Sequence, residues 1–119
     1  TGFATVPTVA VAVAPVPPAP PASPSAEDRA RSAELKSRGD KSLREGGIAE
    51  ARAYYERAAE LGSADGAFSL AMTYDPAELK RLGAVGTWPD IALARAWYER
   101  ASALGHLDAA ARLTRLRGK

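Results

Sequence analysis

Residues 48–62 of this 119-residue chain read IAEARAYYERAAELG, and residues 91–105, 43 positions later, read IALARAWYERASALG. The similarity continues past each glycine, because 14 of the 23 positions that align residues 48–70 with 91–113 are identical. A shared preference for helix-forming residues does not produce identity on this scale. An internal repeat with this period indicates stacked supersecondary units.

The spacing of small and aromatic residues indicates that each unit is a helix hairpin. In each copy, one small residue lies on the first helix, and the second helix carries two small residues with an aromatic residue between them. These are Gly39, Ala51, Tyr55 and Ala58 in the first copy and Ala71, Ala94, Tyr98 and Ala101 in the second. The first gap is 12 in one copy and 23 in the other, so 11 additional residues separate the paired helices of the second hairpin.

From residue 26 onward Ala, Glu, Arg and Leu dominate the composition, and all four favour helix. We predict helices over residues 27–45, 48–61, 64–74, 90–104 and 107–116. This gives an all-α domain over residues 26–119, with two hairpins and a C-terminal capping helix. Gly62 and Gly105 suit helix ends in the left-handed region, and Ser63 suits an N-cap.

Residues 1–25 form a different region, which we call the arm. It carries no charged residue and seven of the nine prolines. Because proline lacks an N–H group and disrupts helices, we predict an extended, disordered spacer. Residues 8–14 alternate small and branched side chains, so two alternatives are a strand added to another protein and the end of a missing membrane segment.

Charge and chemistry exclude several functions for the folded region. Sixteen basic and fourteen acidic residues leave a net charge of +2, which does not indicate a nucleic-acid surface. The chain has no cysteine and one histidine, His106, so no clustered metal ligands are expected. No nucleophile, base and orienting group occur together. We therefore expect no enzyme activity, no cofactor and no metal.

Two motifs carry a resemblance to known repeat families. The pattern Leu35-x-x-x-Gly39 with Ala51-x-x-x-Tyr55 resembles a tetratricopeptide repeat. The later run, Trp97-Tyr98-x-x-Ala-x-x-x-Gly, resembles the bacterial Sel-one-like repeat. Alanine stands at position 71, where that family normally carries glycine. The resemblance covers about residues 33–113.

The resemblance implies a short right-handed α-solenoid that works as a protein-binding adaptor, often in bacterial envelope or signalling assemblies. The first helix of each hairpin would line the concave face and accept a peptide or a helix. The expected contact residues are Arg38, Lys41, Ser42, Phe68, Met72 and Tyr74. We expect a periplasmic or membrane-attached protein, with a cytoplasmic location as the alternative.

The chain starts with threonine, so we expect a processed chain or part of a longer one, with room for an upstream membrane anchor. Membrane association would come only through that anchor or through a membrane-protein partner. The alternative function is a structural accessory subunit of a larger membrane assembly, in which the arm makes the main contact.

The segment between residues 75 and 89 is predicted to be a long loop that is unusually apolar. Its candidates for binding are Leu79, Leu82 and Trp88. Either these side chains fold back and close the edge of the core, or they form a recognition loop at the mouth of the groove.

Arginine and glutamate also recur four residues apart in both copies, as Arg52 with Glu56 and Arg95 with Glu99. These pairs are expected to be ion pairs on helix surfaces. The basic C-terminal end, with Arg112 and Arg115, is expected to suit the helix dipole.

Overall fold

The computed structural model describes residues 24–84 and 86–117, and these residues form six α-helices and no β-strand. The helices are α1 (Ala26–Arg44), α2 (Ile48–Glu60), α3 (Ala64–Met72), α4 (Pro76–Leu82), α5 (Ile91–Ala103) and α6 (Ala109–Arg117). The predicted all-α class is confirmed for this part of the chain. The predicted arm lies outside the described residues except for Pro24 and Ser25.

The predicted helix boundaries follow from side-chain and glycine caps. The Ser25 hydroxyl accepts a hydrogen bond from the Asp28 N–H at 3.0 Å, and Ser63 accepts one from the Gly66 N–H at 2.8 Å. Each bond satisfies a backbone donor that has no partner inside its helix. Gly62 and Gly105 have φ values of 95° and 104°, in the left-handed region as expected.

The prediction of five helices was wrong, because the segment after α3 is not an uninterrupted loop. Asp75 caps α4 by accepting a hydrogen bond from the Ala77 N–H at 3.0 Å, and Pro76 occupies the first turn. Proline fits there because the first helical N–H groups need no partner inside the helix. Gly83, with φ of 69°, ends α4. The last helix also starts at Ala109, two residues later than predicted.

The helices pack as two hairpins and a cap. We call α1 with α2 the first hairpin and α3 with α5 the second hairpin; α2 also packs on α3, and α6 packs on α5. Gly39 shows why the first crossing needs a small residue. A Cβ atom there would lie 2.6 Å from Cε1 of Tyr55, closer than side-chain atoms approach.

Two clusters of buried side chains form the core. The smaller one belongs mainly to the first hairpin and contains Ala51, Tyr55 and Leu70. The larger one joins α2, α3, α5 and α6, with Phe68, Tyr98 and Leu113 among its members. Trp97 and Tyr74 are partly buried and pack against both clusters, so they connect the two hairpins.

Candidate protein-binding surfaces

A groove of about 310 Å³ lies on the first hairpin, and we call it the hairpin groove. Its lining residues are Arg38, Lys41, Ser42, Glu45 and Tyr54. The four residues from α1 and its C-cap are spaced so that they share one face of the helix. Tyr54 of α2 supplies the aromatic wall. Three of the six predicted contact residues therefore lie together, and Tyr54 joins them.

Charge in the hairpin groove is balanced locally. Arg38 donates to Glu34 at 2.9 Å, and Lys41 lies 3.1 Å from the Glu45 carboxylate. The hydrogen bond to Glu34, followed by the interaction with Tyr54, raises the pKa of Arg38. The groove is thus a polar surface with one aromatic side chain, without a strong net charge.

Phe68 lies in a different environment from these residues. It is 9 % exposed, and its ring stacks on His106 with ring centroids 3.9 Å apart. The centroid of the Tyr98 ring lies 5.4 Å from that of Phe68. Six consecutive residues of α3, from Gly66 to Ala71, are buried because α3 lies between α2 and α5. Phe68 is therefore a core residue, and α3 offers no continuous open face.

Met72 and Tyr74 are partly buried against the core. The guanidinium of Arg52 lies 3.9 Å from the centroid of the Tyr74 ring, a cation–π arrangement. Arg52 also donates to the Thr73 hydroxyl at 3.1 Å and to the Thr73 carbonyl. Arg52 thus joins the two hairpins, and the predicted Arg52–Glu56 pair is absent from the ion pairs of the described residues.

Helix α4 contributes two buried carboxylates to the second hairpin. Asp75 is 1 % exposed and Glu78 is 4 % exposed. Asp75 accepts hydrogen bonds from the Tyr98 hydroxyl at 2.7 Å and from Arg115. Glu78 accepts from Arg112 at 2.7 Å. The two arginines belong to α6, so these bonds fix the capping helix to α4.

The other groups around these carboxylates complete the buried polar cluster. Arg81 donates to Glu78 at 2.6 Å, and Arg115 Nε is buried without a hydrogen-bond partner among the described residues. Burial, together with the hydrogen bond to Asp75, raises the pKa of Tyr98. Because the two buried carboxylates pair with arginines that reach them from the surface, this cluster holds α4, α5 and α6 together through charge-assisted hydrogen bonds.

Sequence reasoning missed Asp75, Glu78 and Arg52 as structural residues. A signal for the first two was present. Asp75 followed by Pro76 is a helix-start pattern, and Leu79 and Leu82 are one turn apart after it. Arg52 gave no comparable signal, since its contacts with Thr73 and Tyr74 exist only after the hairpins pack.

A second groove, of about 370 Å³, lies where the turn of the first hairpin meets the segment after α4, and we call it the end groove. It is lined by Leu43, Arg44, Gly46, Ile48, Leu82, Gly83, Ala84 and Thr87. Of the three predicted loop candidates, Leu79 is a buried residue of α4, Leu82 lines this groove and is 43 % exposed, and Trp88 is 83 % exposed. Leu79 thus closes the edge of the core, as one alternative predicted, whereas Leu82 and Trp88 do not fold back into it, and their role in recognition stays a prediction.

Within residues 24–84 and 86–117, no group of three or more His, Asp or Glu side chains is placed to hold a metal ion. No helix in that part of the chain is long and apolar enough to cross a lipid bilayer. Comparison of the chain with models of known families, with curated proteins and with solved structures finds no match.

Proposed function

We propose that residues 26–119 form a short right-handed solenoid of the tetratricopeptide or Sel-one-like type that binds another protein. The observation that carries this proposal is the hairpin groove, in which Arg38 and Tyr54 line one open surface. Arginine and tyrosine are enriched among residues that dominate binding energy at protein interfaces. The two hairpins pack in chain order, α2 on α3, as expected for stacked repeats.

The partner is a peptide or a helix of another protein, and the module is the exposed domain of a bacterial envelope-associated protein. The repeat motifs and the proline-rich composition of residues 1–25 support this placement. The contact residues on the first hairpin are Arg38, Lys41, Ser42 and Tyr54. Phe68 is omitted because its ring is already covered by His106 and Tyr98.

Affinity capture from membrane and soluble fractions of the native host tests this function. Each captured protein is then purified and titrated by calorimetry against the wild-type domain and against Tyr54→Ala. Loss of a groove aromatic is expected to weaken binding by about 1 to 2 kcal/mol. Arg95→Glu, an exposed change on α5, is the control, and circular dichroism checks the helicity of every variant.

If no purified protein binds the domain, the proposal is wrong. If a partner binds equally well to wild type and Tyr54→Ala, the hairpin groove is not its site. The alternative function, an accessory subunit held by its arm, has one supporting observation: Arg29 donates to the Pro24 carbonyl at 2.6 Å, which fixes the junction of arm and domain. Removing residues 1–23 abolishes binding under that alternative and leaves it intact under ours.

A further inference from the structure

Four apolar side chains line the two sides of the end groove, next to Arg44 and Thr87. Leu43 and Ile48 come from the first hairpin, and Leu82 and Ala84 come from the end of α4 and the residues after it. Its volume of about 370 Å³ lies within the range of roughly 300 to 1,000 Å³ that is typical of ligand sites. Trp88 and Ile91 lie just beyond Thr87 in the chain and are 83 % and 41 % exposed.

Three backbone N–H groups around the end groove have acceptors within the protein. At the end of α1, the N–H groups of Gly46 and Gly47 donate to the carbonyls of Leu43 and Ser42 at 3.0 and 2.8 Å. At the end of α4, the Ala84 N–H donates to the Leu79 carbonyl at 3.1 Å. These carbonyls therefore do not need an external donor, and recognition here depends on side chains.

Arg44 is the only ionisable side chain among the residues that line this cavity. No carboxylate of the described residues lies within ion-pair distance of it. The adjacent carboxylate of Glu45 is paired with Lys41. Glu50 lies against Gly47 at the start of α2, where a negative charge complements the helix dipole. The cavity therefore combines apolar side chains with an exposed arginine that pairs with no carboxylate of the described residues.

We propose that the end groove binds a short segment of another protein that carries a buried apolar anchor side chain next to a carboxylate. The apolar side chain fills the space between Ile48 and Leu82, and the carboxylate pairs with Arg44. This proposal rests on the proposed function and names a contact separate from the hairpin groove. A concave cavity fits a protruding side chain, whereas a flat lipid surface would leave most of it empty.

The test uses three pools of fluorescently labelled synthetic peptides of about ten residues, a length suited to one helix or extended segment. All pools share two leucines one helical turn apart, and the flanking positions are glutamate, lysine or serine. Fluorescence anisotropy measures binding to the whole chain. We expect the glutamate pool to bind at least about fivefold more tightly than the lysine pool, because of the charge of Arg44.

Four variants in two matched pairs locate the site. Arg44→Glu and Leu82→Ser are each expected to weaken binding of the glutamate pool by about tenfold. The first removes the partner of the carboxylate, and the second removes an apolar contact of the anchor side chain. Arg95→Glu and Leu107→Ser make the same chemical changes on α5 and beyond its far end, and are expected to change nothing. Thr87→Trp fills the groove from a residue outside every helix and should also abolish binding.

Equal binding of the three pools, no binding of any pool, or unchanged binding by Arg44→Glu and Leu82→Ser each overturns the proposal. A second outcome also overturns the proposal: no peptide pool binds, but the protein binds phosphatidylserine vesicles and both Leu82→Ser and Arg44→Glu weaken that binding. This outcome would assign the surface to membranes. The hairpin groove is judged separately. If the captured partner is lost with Tyr54→Ala and no peptide pool binds, this inference fails and the proposed function stands.

Discussion

The two hairpins each bury a tyrosine that is bonded to an aspartate, but the residues around the two aspartates differ. In each, a tyrosine of the second helix is buried and its hydroxyl donates to an aspartate, Tyr55 to Asp40 at 2.6 Å and Tyr98 to Asp75 at 2.7 Å. Burial is the first cause of a raised pKa for both tyrosines, and the bonded aspartate is the second. The tyrosine–aspartate bond is therefore a repeated element of the fold.

The aspartates themselves differ in position and surroundings. Asp40 lies inside α1, directly after Gly39, with a side chain that is 35 % exposed and paired to Lys36. Asp75 lies after the end of α3, caps α4, and is 1 % exposed. The carboxylate that binds the tyrosine thus lies at a half-exposed position inside a helix in the first hairpin and at a buried helix start in the second.

The difference between Asp40 and Asp75 shows what the additional 11 residues contribute to the second hairpin. They supply Asp75 and Glu78, which hold Arg115 and Arg112 of the capping helix. Among the described residues, Asp40 of the first hairpin pairs with Tyr55 and Lys36 and with no residue of another hairpin. The longer second unit therefore supplies the carboxylates that bind α6.

The largest expected effect comes from removing the buried aspartate. Asp75→Ala removes the acceptor of the Tyr98 hydroxyl and of the Ala77 N–H, and it leaves Arg115 with only Glu78, at 3.7 Å. We expect these losses together to lower the free energy of unfolding by about 3 to 5 kcal/mol. Asp40→Ala removes a half-exposed carboxylate and should cost about 1 to 2 kcal/mol. Urea denaturation followed by circular dichroism measures both values.

Asp75→Asn is the control for this comparison. It keeps the shape of the side chain and an acceptor for the Ala77 N–H, so its cost should lie between those of Asp75→Ala and Asp40→Ala. Equal losses for Asp75→Ala and Asp40→Ala would show that α6 is not held through α4.

The next effect concerns the small residue at each helix crossing. Gly39→Ala places a Cβ atom against the ring of Tyr55 and should destabilise the protein by about 1 to 3 kcal/mol through overpacking. The counterpart, Ala71→Gly, should cost about 1 kcal/mol from helix propensity and a small cavity. Thermal denaturation measures both, and a neutral Gly39→Ala would contradict the close contact.

Structural features that depend on residues close together in the chain could be predicted from the sequence. The spacing of Gly39, Ala51, Tyr55 and Ala58 correctly predicted a crossing in which the tyrosine is buried. The left-handed conformations of Gly62 and Gly105 were also predictable from local chain chemistry. Trp97, which belongs to the motif that carries the resemblance, packs against both core clusters.

The features that sequence missed depend on contacts between distant residues. Arg112 and Arg115 suit a helix C-terminus in sequence, yet their partners are 34 and 40 residues away. The predicted binding face placed Phe68 beside Arg38 because both lie on first helices. The short α3, enclosed by α2 and α5, directs Phe68 into the core.

A smaller effect is expected from the tyrosine hydroxyls, with a defined pH dependence. Tyr55→Phe and Tyr98→Phe should each cost about 1 to 2 kcal/mol at neutral pH by removing a hydrogen bond to a carboxylate. An unfolded tyrosine titrates at about pH 10. Because the folded pKa of both groups is raised, their contribution is complete below that pH and is lost as the pH rises above it.

Denaturation at a series of pH values between neutral and strongly alkaline measures this dependence. The wild-type free energy of unfolding should fall steeply above about pH 10, and each phenylalanine variant should fall less steeply. A wild-type curve parallel to that of the double variant would contradict the coupling of the hydroxyls to the aspartates.

The smallest effect belongs to the exposed ion pairs of α1. Glu34→Gln breaks the pair with Arg38, whose two side chains are 62 % and 58 % exposed, and should change the free energy of unfolding by at most about 0.5 kcal/mol. Urea denaturation at low and high salt measures it. A loss as large as that of Asp40→Ala would show that this surface is more strongly organised than its exposure indicates.

The contact of Pro24 with Gly62 shows where residue 24 meets the helical fold. A Cβ atom on Gly62 would lie 2.9 Å from Cγ of Pro24, so the chain enters the fold at the turn between α2 and α3. The end groove lies at the other end of α1, whose 19 residues span about 28 Å. A partner in the end groove would therefore lie about one length of α1 from the point where Pro24 meets the fold, and an attachment at that point would leave the groove uncovered.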